Sequence, residues 1–269
     1  MNSSKAVRAL VESAMMVALA TVLSIFKLID MPYGGSVTIA SAFPMLVLAY
    51  RLGVCRGIGA GLVYSAIQLL LGLNTLSYVT GWQSVIAVIM LDYIVAFALV
   101  GICGIFRKIC KSQQSAFICG AFVFSILRYI CHVISGATVW AGLSIPSEAA
   151  LIYSLGYNAT YMIPETVILI AVSYYIGGII DFSKPTPVRA STGALAGAES
   201  ALYVSAGGAF LLGIIVDTWL IAPHLQDGEN GEFIISGLAS VNWIAVLVVS
   251  VLSVAIGIAL IITAKRKKN

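Results

Sequence analysis

Apolar runs about as long as a bilayer crossing recur from one end of this chain to the other, separated by short polar turns. In hydrocarbon every backbone N–H and C=O must be satisfied within its own segment, so such runs fold as helices. They lie at about residues 7–29, 36–50, 54–73, 83–106, 115–143, 149–180, 201–221 and 238–264. The second is short, and Pro44 interrupts it. Only 10% of the 269 residues are charged, 60% are hydrophobic, and the mean hydropathy is +1.03. A soluble domain would carry about a quarter charged residues. The fold class is an all-α polytopic membrane protein, with the lipid bilayer as its solvent.

Loop charges orient the spans. With the N-terminus inside, inner positions hold Lys5, Arg8, Arg51, Arg56, Arg107, Lys108, Lys111, Lys184, Arg189 and the Lys265–Lys268 cluster. Outer loops hold Lys27 and otherwise acids: Asp30, Glu148, Asp227, Glu229 and Glu232. This positive-inside pattern at each crossing predicts eight spans with both termini cytoplasmic. The net charge of +4 is spread over short loops and not over one face, so no nucleic-acid partner is implied. The start runs directly on as a spanning helix, without a small-residue cleavage site, so no cleaved signal is expected. The five cysteines have no metal-type spacing and read as small buried hydrophobes.

Against this background residues 128–165 stand out. They carry an arginine, a histidine, a tryptophan, four tyrosines, an asparagine and two glutamates. Arg128, His132, Gly136 and Trp140 are spaced four apart, one stripe of a helix. After a loop with Pro146, Tyr157, Tyr161 and Glu165 form a second stripe, with Asn158 beside them. Asp92 lies inside the fourth apolar run, where an unpaired carboxylate costs about 3 kcal/mol on insertion scales. It must pair (Arg128 is the structural choice), protonate or meet a cation. A carboxylate with aromatic faces suits a flat cationic heterocycle. Trp140 and Tyr153 also fit an interfacial aromatic belt.

Other chemistry leaves little trace. The chain has no nucleophile elbow, no H-E-x-x-H and no Walker A sequence, so it cannot hydrolyse ATP by itself. Asp92, His132 and Glu165 remain as a possible acid–base set of an intramembrane enzyme. No internal repeat is apparent, which argues against a rocking carrier working alone.

The Ala14/Ala18 pair, SAFPMLVLAYRLG, LDYIVAF, RYICHVISGATVWA and YSLGYNATYMIPE together resemble the thiamine-specific substrate-binding (S) component of energy-coupling factor (ECF) vitamin transporters. The similarity covers roughly residues 5–180. It implies a six-helix bundle binding thiamine near the outer face, docked on a transmembrane coupling protein with two ATPase subunits. It implies no catalysis, no cofactor and a plasma-membrane location. By position, Asp92 would pair with the aminopyrimidine ring, with Tyr93 beside it. His132 and Trp140 would flank the rings, Gly136 would give clearance, and Tyr153 and Asn158 would complete the polar contacts. Ala14 and Ala18 would dock on the coupling protein. The implied organisation is a binding domain over 1–182, a linker over 183–200 and a two-helix extension over 201–269. An S component for a thiamine precursor is the nearest alternative. Gly35 and Ile39 stand where some members have a tryptophan and a glutamate, leaving Tyr33 as the aromatic available from that loop. Some members also have Glu where this chain has Asp92.

Overall fold

The computed structural model describes residues 3–141, 149–190, 198–225 and 235–268. The loop holding Pro146 and Glu148, the acids Asp227, Glu229 and Glu232, and residues 191–197 of the expected linker lie outside the described residues. Among the described residues seven helices are long and apolar enough to cross a membrane, and an eighth, Phe43–Leu52, is shorter. The chain is thus an all-α polytopic membrane protein. It divides into two units, Met1–Tyr174 and Tyr175–Asn269.

The first unit begins with α1 (Ser3–Ile25), followed by a small antiparallel ribbon of β1 (Lys27–Asp30) and β2 (Ser36–Thr38). The ribbon and its turn replace the beginning of the expected second helix. That helix, α2 (Phe43–Leu52), starts seven residues later than the sequence suggested, and Pro44 sits in its first turn. Proline interrupts a helix interior because it lacks an N–H, but the first turn leaves that donor unused. Pro44 therefore starts α2. From Phe43 to Tyr50 each residue is buried, so this short helix is the axis of the unit.

Around it pack α1, α3 (Val54–Leu71), α4 (Trp82–Ile109) and α5 (Gln113–Thr138), while α6 (Ala150–Ile179) meets β2 through the Glu165–Thr38 hydrogen bond. Small residues set how closely α3 and α4 approach. A Cβ at Gly57 would lie 2.8 Å from the Gly101 Cα, and one at Gly61 3.0 Å from the Ala98 Cα. With no hydrophobic force between helices in lipid, such backbone approach supplies the packing energy. On α1, Glu12 pairs with Arg51 of α2. Ala14 and Ala18 face outward on α1, among exposed Leu10, Val11, Met15, Leu19 and Val22.

The second unit contains a short ribbon, β3 (Ile180–Asp181) with β4 (Val188–Arg189), and two long helices, α7 (Ala198–Ile221) and α8 (Trp243–Lys268). A side chain at Gly213 would strike Ser253, and one at Gly257 the Phe210 ring. Ser250 donates to Asp217 Oδ2 at 2.6 Å. These pairings run in opposite senses along the two helices, so α7 and α8 form an antiparallel hairpin. Asp217 of α7 is thus held by Ser250 of α8.

Candidate binding site

Asp92 reaches the site through an irregularity that no periodicity predicts. Residues Ile89–Val95 of α4 form a π-helical segment, and Leu99–Ile105 tighten to 3-10 geometry. One wider turn rotates the side chains that follow it, and such segments concentrate at functional positions. It presents Asp92 to α5. His132 Nδ1 lies 2.8 Å from Asp92 Oδ1, and Ser135 Oγ donates to Asp92 Oδ2 at 2.6 Å. The Trp140 indole N–H donates to the same Oδ2 at 3.3 Å.

Trp140 lies just beyond the end of α5 at Thr138, not on the helix as its spacing suggested. Its backbone N–H still reaches back to the Ser135 carbonyl, which keeps the indole above the Asp92 carboxylate. The residue is only 7% exposed, packed with Val79, Val88 and Ala150 and against Tyr33, Tyr93 and Tyr153. It is therefore a wall of the protein interior rather than a lipid-facing belt residue.

Arg128 occupies the other side of His132. Its Nε–H donates to His132 Nε2 at 3.2 Å. Guanidinium donates only, so Nε2 must accept and the ring proton sits on Nδ1, directed at Asp92. Arg128 does not pair directly with Asp92, the structural choice raised by the sequence. Its NH1 pairs instead with Glu165 Oε2 at 3.1 Å, and the guanidinium lies 4.7 Å from the Phe97 ring centre. Glu165 Oε1 accepts from Thr38 Oγ1 at 3.0 Å, and Thr38 contacts Ser41 Oγ at 2.8 Å. One hydrogen-bonded chain thus runs from Trp140 through Asp92, His132, Arg128 and Glu165 to β2. A half-satisfied charge is costly in such surroundings, and each ionic group here has a partner.

The remaining expected residues divide. Tyr93 belongs to the π segment and packs near Trp140, but its hydroxyl donates to the Gly72 carbonyl at 3.2 Å. Tyr153 packs in the same cluster. Asn158 is buried one layer away: its amide donates to the Ser154 carbonyl at 2.9 Å, and its oxygen accepts from Tyr161 at 2.7 Å. Gly136 is buried on α5, on the His132 face. Ser135 and Thr38 are participants that sequence reasoning missed. Ser135 was legible as a small polar residue one turn from His132; Thr38 lies 127 residues from Glu165 and carried no local signal.

The loop after α1 closes on these residues. Tyr33 has left-handed backbone angles, φ 63° and ψ 14°, which cost a non-glycine residue about 1 kcal/mol or more. Its ring stands 6.3 Å from Trp140 and 5.3 Å from Tyr78. Gly35 lies under Tyr161, where a Cβ would come within 2.8 Å of the ring. No larger side chain fits there without moving Tyr161.

Residues 10–180 match the family described as thiamine transporter protein (Thia_YuaJ). The chain belongs to that family. The thiamine transporter ThiT of Bacillus subtilis is 38% identical over 179 residues, 62% of this chain and 89% of that protein. ThiT of Lacticaseibacillus paracasei is 29% identical over 140 residues, 48% of this chain and 67% of the relative. The matched span is the one whose motifs carried the resemblance, and it contains every polar group of the Asp92–Thr38 chain. Membership of this family makes the chain a thiamine-transport protein of the membrane.

Proposed function

We propose that this protein is the thiamine-binding S component of an ECF-type uptake system. It captures the vitamin at the outer face of the plasma membrane and passes it inward with a coupling protein and two ATPase subunits. The observation that carries the reading is the convergence of Asp92, His132, Ser135 and Trp140: a half-buried carboxylate under an aromatic wall. A flat cation with hydrogen-bonding edges is the ligand such a wall attracts. Asp92, Tyr93, His132, Gly136, Trp140, Tyr153 and Asn158 are the proposed contacts, with Tyr33 closing on Trp140 from the loop.

The proposed organisation is a six-helix binding domain over 1–182, a linker over 183–200 and a two-helix extension over 201–269, both termini being cytoplasmic. The exposed face of α1 around Ala14 and Ala18 is the proposed surface for the coupling protein. No catalytic step is assigned. Asp92 and His132 already satisfy each other, and the relatives are named transporters.

Titration of the detergent-solubilised protein with thiamine, followed by tryptophan fluorescence, tests the reading. Saturable quenching that is lost in Trp140→Ala is expected. Absence of binding up to about 1 mM, a free energy near −4 kcal/mol, would overturn it and send the search to thiamine precursors.

A further inference from the structure

α1 meets α2, α3 and β2, yet among its described residues the buried stripe consists of Ala9, Val17, Ala20 and Ser24. Three of these side chains are short, so the stripe is smooth and does little to stop the helix turning about its own axis. Lipid adds no hydrophobic force to hold it. Glu12 flanks the stripe and is clamped to the last turn of α2. Arg51 donates to its carboxylate from Nε and, at 3.3 Å, from Nη2, and the Glu12 and Arg51 side chains are 16% and 8% exposed. The base of this fork is fixed in turn. Arg107 Nη1 donates to the Arg51 and Tyr50 carbonyls at 3.0 and 3.3 Å, and its guanidinium lies 5.4 Å from the Tyr50 ring centre. Two parallel charge-assisted bonds fix direction as well as distance. Elsewhere on α1, Ser24 accepts from Gln68 of α3 at 2.8 Å, a single neutral bond about which a helix still turns. An enclosed ion pair is weak evidence of stabilisation, so its place in the fold calls for another reason.

We propose that Glu12 is a positioning residue for transport: its fork with Arg51 sets the angle at which α1 presents Ala14 and Ala18 to the coupling protein. The proposal rests on the docking reading given above. At about 100° per residue, Ala14 and Ala18 lie about 200° and 240° round the helix from Glu12. With Glu12 clamped on α2, both therefore face away from the bundle, and both are exposed. A face of small residues docks by close backbone approach, which tolerates little rotation. Exposed Leu10 borders the alanines on one side, and Val11 and Met15 border them on the other. A turn of α1 in either sense brings one of these longer side chains forward and holds the partner off. Glu12 and Arg51 stand outside the Asp92–Thr38 chain, so their loss leaves the thiamine contacts in place.

The test compares the full-length wild type with Glu12→Gln, the double variant Glu12→Gln/Arg51→Gln and the swapped pair Glu12→Arg/Arg51→Glu. Each is assayed for thiamine Kd in detergent, for recovery of the coupling protein on the tagged chain, and for ATP-dependent uptake in vesicles holding the partner subunits. Glu12→Gln should keep Kd within about threefold of wild type, the margin left by imperfect additivity. Its uptake and its recovery of the coupling protein should both fall at least about tenfold, the equivalent of about 1.4 kcal/mol of docking free energy. The swapped pair rebuilds a charged tie and should recover uptake to within about threefold of wild type. If Glu12→Gln is not monodisperse, the double variant decides, since it leaves no charge unpaired. Wild-type uptake without the fork, a Kd that weakens in step with uptake, unchanged recovery of the coupling protein, or a swapped pair that binds thiamine without regaining uptake overturns the proposal. Ala14→Trp with Ala18→Trp in the same vesicles separates the two readings. Wild-type uptake in that variant disposes of the docking surface itself; lost uptake there beside wild-type uptake in Glu12→Gln disposes of this inference alone.

Discussion

Asp92 Oδ1 and His132 Nδ1 lie 2.8 Å apart across the α4–α5 contact, although 40 positions separate them in the chain. The π-helical turn brings the carboxylate to α5, and Arg128 fixes which imidazole nitrogen carries the proton. A carboxylate so held is aimed before any ligand arrives, and such preorganisation favours tight binding. Asp92→Asn keeps the shape and removes the charge. Thiamine binding should weaken by about 2–5 kcal/mol, the range for removing one member of a buried charge pair. A titration indistinguishable from wild type would show that the carboxylate is structural.

Trp140→Phe separates the ring from the indole N–H that reaches Asp92 Oδ2. Much of the aromatic wall survives, so the expected loss is about 0.5–2 kcal/mol, smaller than for Trp140→Ala. Isothermal calorimetry on both variants gives the order directly, and the reverse order would remove Trp140 from the cation wall.

Tyr33 stands over Trp140 on a strained turn rather than in a regular element. Its contribution is to closure, so Tyr33→Ala should speed thiamine release by up to about tenfold, the worth of one aromatic pair. Stopped-flow displacement measures this rate, and an unchanged rate would mean that the loop does not close on the ligand.

Ala14 and Ala18 lie on the exposed face of α1, away from the Asp92–Thr38 chain. Ala14→Trp with Ala18→Trp should leave thiamine Kd unchanged and abolish ATP-dependent uptake in vesicles containing the partner subunits. Uptake at the wild-type rate would place docking elsewhere.

Gly101 offers a stability test independent of ligand. A Cβ there would lie 2.7 Å from the Gly57 carbonyl carbon, a backbone atom that cannot swing aside. Gly101→Ala should destabilise the protein by about 1–3 kcal/mol through overpacking. The thermal midpoint in detergent reads the loss; Gly59→Ala, which meets nothing within 4 Å, is the control.

The apolar runs made the long helices legible, because length and hydropathy alone decide what hydrocarbon tolerates. The second helix was drawn too early because residues 36–42 are mostly apolar and small; their pairing with β1 depends on a partner strand that local pattern does not reveal. Trp140 shows the limit of periodicity: its spacing from His132 implied the same helix, whereas the helix ends at Thr138 and the indole still arrives. Gly57 and Gly61, which the sequence reading did not single out, lie where α3 meets Gly101 and Ala98 of α4.

By itself, then, the sequence determined that this chain spans a membrane, that its polar residues gather around Arg128–Glu165, and that Asp92 is charged chemistry in an apolar segment. Composition and hydropathy act residue by residue, so they survive without a fold. Tertiary structure decided the partners. Arg128 chose Glu165 and His132 over Asp92, Ser135 joined the carboxylate, and Thr38 closed the chain from 127 residues away. Pairing of buried charges depends on distances of a few ångströms between different helices. Those distances are set by where glycines let backbones meet and where one π turn changes the angle of a helix face.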